Sequence, residues 1–160
     1  MKKWSLIPAV AALVFLSSAD SGSSQGVQVG AKAPDIALTK SGSVFSLDDM
    51  AGKYVLLNFW SVTDPASRIA NIRLDRMSDS LAAEGIEVIS ICGDTESDLY
   101  SQILIVDSLD LERQYHYSDS KLPTIMEDYS LESAPAMYLI GPDGMVVAKG
   151  KEPDELLALV

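Results

Sequence analysis

The sequence predicts an α/β fold, with a central sheet flanked by helices and an extra β-hairpin ahead of it. Three observations carry that prediction. Two near-continuous apolar runs, Tyr54 to Trp60 and Ile86 to Cys92, have the composition of strands covered on both faces. Between them Ala70, Leu74, Met77 and Leu81 recur at steps of four, three and four, which places them on one buried stripe of a helix. Two polar turn signals, Lys40-Ser41-Gly42-Ser43 and Gly141-Pro142-Asp143-Gly144, each separate a pair of short β-prone runs.

Ahead of the fold, Lys2 and Lys3 precede an apolar run from Leu6 to Leu16, and Ser17-Ser18-Ala19 supplies small residues of the kind a signal peptidase reads. Residues 1–19 are therefore expected to be a cleaved secretory signal, since the apolar run is shorter than a bilayer span. No Cys follows the run directly, which argues against a lipid anchor there. Residues 20–29, rich in Ser, Gly and Gln, are expected to be a flexible leader. The 48% hydrophobic and 22% charged composition suits one globular domain over residues 30–160. The expected location is outside the cytoplasm, periplasmic or extracellular.

The elements follow in order. Ile36 to Thr39 and Val44 to Ser46 should pair as an antiparallel hairpin, and Leu47 to Gly52 should turn into the strand Tyr54–Trp60. A helix begins near Asp64 and stops at Gly85, before the strand Ile86–Cys92. Thr95-Glu96-Ser97-Asp98 has the pattern of a capping box opening a helix through Val106. Tyr115-His116-Tyr117 reads as a short strand and Leu122 to Tyr129 as a short helix or turn. Ala136 to Ile140 and Met145 to Ala148 form a second hairpin, and Glu152-Pro153-Asp154 opens a last helix with Pro in a tolerated first-turn position.

Charge and cysteine count narrow the chemistry. The formal net charge is −11, and removing the signal with its two lysines gives −11 − 2 = −13. That balance disfavours nucleic acid and anionic membrane surfaces, whose binding rests on clustered Lys and Arg; it would attract a cationic protein or peptide, but a solvating surface charge is the favoured explanation. Cys92 is the sole cysteine, so no internal disulfide can form, and it closes an apolar strand with no Lys or Arg between residues 85 and 112 to activate it. Gly22-Ser23-Ser24-Gln25-Gly26 matches a nucleophile-elbow pattern but lies in the leader. Asp94-Thr95-Glu96-Ser97-Asp98 has the alternating acids of a calcium loop but Leu99 where Gly is required. His116, the sole histidine, has no companions for a zinc site, and neither a metal nor a cofactor is expected.

The stretch Asn58-Phe59-Trp60-Ser61-Val62-Thr63-Asp64-Pro65-Ala66-Ser67-Arg68 resembles the active-site turn of the thioredoxin superfamily, nearest to its periplasmic TlpA-like and alkyl hydroperoxide reductase-like group. Val29-Gly30-Ala31-Lys32-Ala33-Pro34-Asp35, Ser46-Leu47-Asp48-Asp49-Met50-Ala51-Gly52-Lys53 and Ala134-Pro135-Ala136-Met137-Tyr138-Leu139-Ile140 are similar to other phrases of that group, in the right order. The resemblance implies a thioredoxin-like three-layer fold and an oxidoreductase frame. It also implies that Thr63 stands for a Trp, Asp64 for the first redox Cys and Ser67 for the second, with Pro135 as the cis-proline facing the turn. Asn58 and Trp60 match the family's strand and read as packing residues.

Taken without the family, Asp64-Pro65-Ala66-Ser67 is a coherent helix start, with Asp at the cap and Pro at the first helical position. The expected function is an exported, non-catalytic module that binds an extended peptide or protein partner through Thr63, Asp64, Pro65, Ala66, Ser67, Ala134 and Pro135. No association with nucleic acid, or with a membrane once the signal is removed, is expected. The alternative is a thiol-disulfide oxidoreductase or peroxidase-related redox protein acting through Cys92 or a partner's thiol. A hydrolytic role for Asp64 would need a second titratable group at the helix start, and the sequence supplies no clear one.

Overall fold

The computed structural model describes residues 27–116, 122–131 and 136–160. The expected signal, most of the leader, Tyr117, Ala134 and Pro135 lie outside the described residues. The strands are β1 (Ala37–Lys40), β2 (Ser43–Ser46), β3 (Tyr54–Trp60), β4 (Ile86–Cys92), β5 (Gln114–His116), β6 (Ala136–Ile140) and β7 (Val146–Gly150). The α-helices are α1 (Pro65–Ala83), α2 (Ser97–Val106), α3 (Leu122–Asp128) and α4 (Pro153–Leu157), with short 3-10 turns at Leu47–Met50 and Leu111–Arg113. Among the described residues no helix is long and apolar enough to cross a membrane.

One five-stranded mixed sheet, ordered β5-β4-β3-β6-β7, carries the molecule, and β1 and β2 form a separate two-stranded hairpin. Strands β3, β4 and β5 run parallel, while β6 is antiparallel to β3 and β7 to β6. The steps from β3 to β4 and from β4 to β5 go the same way along the sheet, so right-handed crossovers put α1 and α2 on the same face. Side chains alternate across β3 accordingly. Leu56 packs with Ala70 and Leu74 of α1 and Leu156 of α4, and Trp60 packs with Tyr100 and Leu104 of α2. Val55, Leu57 and Phe59 face the other way, onto Ile125 of α3, Tyr129 beyond it, and Leu38 of the hairpin.

The first hairpin is tighter than its sequence suggests. Ser41 (φ 50°) and Gly42 (φ 82°) both take left-handed backbone, the requirement of a two-residue type I′ turn, so Lys40 and Ser43 pair as strand residues. The capping box expected at Thr95 is absent. Glu96 occupies the N-cap position of α2 and makes no side-chain cap bond. At the second hairpin the strand starts at Val146, because Met145 bridges back to Lys32 and its carbonyl accepts from the Gly141 N–H at the turn. Val27, at the near end of the expected leader, packs against the core.

Between α1 and the sheet lies a layer of buried amides and a hydroxyl. Asn58 donates to Asn71 Oδ1 (3.0 Å) and to Ser90 Oγ (3.2 Å), and Asn71 donates to Gln114 Oε1 (3.1 Å). Each of these residues is 1% exposed or less, so one network ties α1 to β3, β4 and β5. Replacing Asn71 with Ala strands buried partners on both sides, at about 1–3 kcal/mol per unsatisfied group. Urea denaturation should show that loss, and an unchanged midpoint would remove the network from the account of stability.

Candidate functional site

The site the sequence singles out lies at the carboxyl end of β3, where open α/β sheets place their ligands. The chain leaves Trp60, makes one irregular turn, and enters α1 at Pro65. Asp64, in extended backbone (φ −101°, ψ 112°), is the N-cap, and its Oδ2 accepts the Ser67 N–H at 2.9 Å. Pro65 has no N–H to leave unmatched, and its fixed φ suits the first helical position. Ser67 is wholly buried, and its Oγ accepts the Ser61 N–H at 2.9 Å. The two positions that the resemblance sets in place of redox cysteines therefore serve as a cap and a staple of the same turn.

A second carboxylate completes the arrangement. Asp94, beyond the end of β4, accepts the Val62 N–H at 2.7 Å through Oδ2 and the Ser61 hydroxyl at 3.1 Å through Oδ1. It belongs neither to a cap nor to a calcium loop. Its position follows from register: Trp60 pairs with Cys92, so the residues two beyond each strand emerge side by side. The Thr63 N–H in turn donates to Ser61 Oγ at 3.2 Å, and the Arg68 N–H donates to the Asp64 carbonyl at 3.0 Å. Five backbone donors of the turn, at Ser61, Val62, Thr63, Ser67 and Arg68, are thus matched within the protein. What the turn offers outward is the exposed surface of Thr63, Pro65 and Ala66.

Cys92 lies behind the turn, fully buried among Trp60, Val62, Tyr100, Leu104 and Leu109. Its thiol donates to Asp94 Oδ2 at 3.4 Å. Burial is the main force on its acidity and pushes the thiol up to about 12. Such a group stays protonated near neutral pH and cannot act as a nucleophile there. His116 is buried on β5 and stacks on Tyr100, with ring centroids 4.5 Å apart. Among the described residues no group of three His, Cys, Asp or Glu side chains could hold a metal ion. Two surface clefts lie away from the turn, one lined by Leu47, Lys53 and Pro142 near the start of β3, the other by Phe45, Glu112 and Tyr115 beside the hairpin.

Asp64→Ala should lower stability by about 1 kcal/mol while Asp64→Asn, an equally good cap, keeps most of it, as read by thermal melts. The native Cys92 thiol should resist alkylation at mildly alkaline pH and react fully in denaturant. Because its folded pKa lies above the unfolded value of 9.0, its contribution to stability is complete below that value. That contribution declines as pH rises toward about 12, so the stability gap between wild type and Cys92→Ala should narrow over that window.

Comparison with known proteins agrees with this frame. Residues 29–149 match the model of the AhpC/TSA family. The chain is 28% identical over 134 residues to the thiol-disulfide oxidoreductase ResA of Bacillus cereus, covering 82% of this chain and 75% of the relative. It is 30% identical over 123 residues to the thioredoxin-like protein YneN of Bacillus subtilis, covering 76% of this chain and 70% of that one. Among solved structures, the thioredoxin domain of a Bacteroides vulgatus thiol-disulfide oxidoreductase superposes with TM-score 0.71 at 24% identity, over 82% of this chain and 94% of the other. A thioredoxin-like protein from Parabacteroides distasonis superposes with TM-score 0.66 at 27% identity, over 84% and 95%.

Proposed function

We propose that this chain, which belongs to the AhpC/TSA family within the thioredoxin superfamily, is an exported partner-binding protein that keeps the oxidoreductase frame and has given up thiol–disulfide exchange. The observation that carries the proposal is the engagement of Asp64 and Ser67 as cap and staple where the resemblance places two cysteines. Exchange proceeds by attack of a thiolate on a disulfide sulfur through a mixed disulfide, and neither a carboxylate nor a hydroxyl can form that intermediate. Cys92 offers no substitute, being buried and protonated.

Binding is assigned to the surface that remains. Thr63, Pro65 and Ala66 are exposed at the carboxyl end of the sheet. With Ala134 and Pro135, which the family resemblance sets opposite the turn, they would line a groove for an extended peptide. Ser67 is buried and shapes that groove without touching its occupant. Export rests on residues 1–19, with their basic start, apolar run and small-residue end.

Insulin-disulfide reduction by the mature protein should stay at background, with or without Cys92→Ser. Robust turnover that disappears in Cys92→Ser would favour the competing oxidoreductase reading instead. The double variant Asp64→Cys/Ser67→Cys should in contrast close a disulfide and gain exchange activity, because the helix start that acidifies a cysteine is intact. A double variant that folds but stays inert would contradict the retained frame. Mass spectrometry of the exported protein should find a chain beginning after Ala19.

A further inference from the structure

We infer that the end of α2 and the turn beyond it, Ile105 to Glu112, form a docking surface for a partner segment with apolar side chains flanked by Lys or Arg. The inference does not rest on the groove proposed above, although Arg68 ties this surface to the first turn of α1.

Eight large hydrophobic residues are exposed among the described residues, and three of them, Ile105 (78%), Val106 (71%) and Leu111 (55%), fall within seven positions. Local structure does not explain them. Earlier in α2 the exposed positions Asp98, Ser101 and Gln102 are polar, as a solvated face should be. Ile105 and Val106 are β-branched, so they favour the helix less than the straight-chain residues usual on an exposed face. The core contacts of this segment are made by Leu104 and Leu109, both 7% exposed. The patch is also held in place. Arg68 of α1 grips Asp107 with Nη2 at 2.6 Å and Nε at 3.0 Å, which sets the last turn of α2 against the first turn of α1, where Ile69 is exposed as well. Leu109 returns its N–H to the Leu104 carbonyl at 3.0 Å and closes the turn. A rigid surface loses little entropy on docking.

Charge selects the occupant. Acids are interleaved with the apolar residues at Asp107, Asp110 and Glu112, and no Lys or Arg occurs from residue 85 to 112. Arg68 answers Asp107, Arg113 answers Asp110, and Lys40 bonds the carbonyls of Leu111 and Gln114. Glu112, in the turn beyond α2, takes part in no ion pair among the described residues. With a formal net charge of −11, a second copy of the chain would be repelled and a cationic segment attracted.

The test titrates the mature protein into two fluorescent synthetic peptides, one alternating Leu with Lys and one alternating Leu with Glu, and reads anisotropy. The Leu/Lys peptide should bind and weaken at high salt, and the Leu/Glu peptide should not bind. The folded double variant Ile105→Ser/Val106→Ser should bind the Leu/Lys peptide about tenfold more weakly. Leu159→Ser, an exposed apolar position beyond α4 at the opposite edge of the sheet, should leave binding unchanged. Equal binding of both peptides, equal binding by the double variant, or self-association that the double variant abolishes would each overturn the inference. Circular dichroism confirms folding of every variant, and the single variant Ile105→Ser replaces the double one if that fails to fold.

Discussion

The parallel pairing of β3 with β4 sets where the chemistry of this molecule can lie. Seven residue pairs, from Tyr54–Ile86 to Trp60–Cys92, hold the two strands in register. The residues that follow them therefore leave the sheet together, and Val62 meets the Asp94 carboxylate at 2.7 Å. A slip of one residue would turn Leu56, Asn58 and Trp60 from the α1 face to the hairpin face and break the amide network behind them. That network fixes α1 against three strands, and α1 in turn fixes the angle at which the turn enters the helix.

The helix start shows what electrostatic fit alone can and cannot preserve. A helix N-terminus favours negative charge, whether from a thiolate or a carboxylate. Asp64 satisfies that preference with a carboxylate bonded directly to the Ser67 N–H. An aspartate at a helix start makes the stabilising interaction that a thiolate would make there and lacks the thiolate's nucleophilic sulfur. Ser67 makes a similar exchange, since its hydroxyl bonds a backbone donor that a sulfur would hold only weakly.

Much of the fold was legible in the sequence because it rests on local patterns. Tyr54–Trp60 and Ile86–Cys92 have the observed boundaries because both faces are covered and the apolar runs end where cover ends. Gly85, at φ 85°, ends the helical segment as its position suggests. The role of Asp94 was not legible, because its partners Ser61 and Val62 lie more than thirty positions away and only strand register brings them near. Asn71 and Gln114 carried no signal for the same reason: an amide on a helix or a short edge strand looks solvated until its distant partners are known. Thr95 misled because a capping box is a local pattern, and here the helix starts one residue later than that pattern requires. At the site, the identities of Asp64 and Ser67 could be read directly, but their mutual saturation of the turn could not.

A turn held by a carboxylate and hydroxyls is indifferent to the electron supply around it. Where a cysteine pair makes a surface that changes between its dithiol and disulfide forms, Asp64 and Ser67 give this one a single form at any ambient potential. The exposed surface of Thr63, Pro65 and Ala66 therefore keeps the same shape in oxidising and reducing surroundings alike. The shape of the turn is uncoupled from redox state, in a frame whose relatives include thiol-disulfide oxidoreductases.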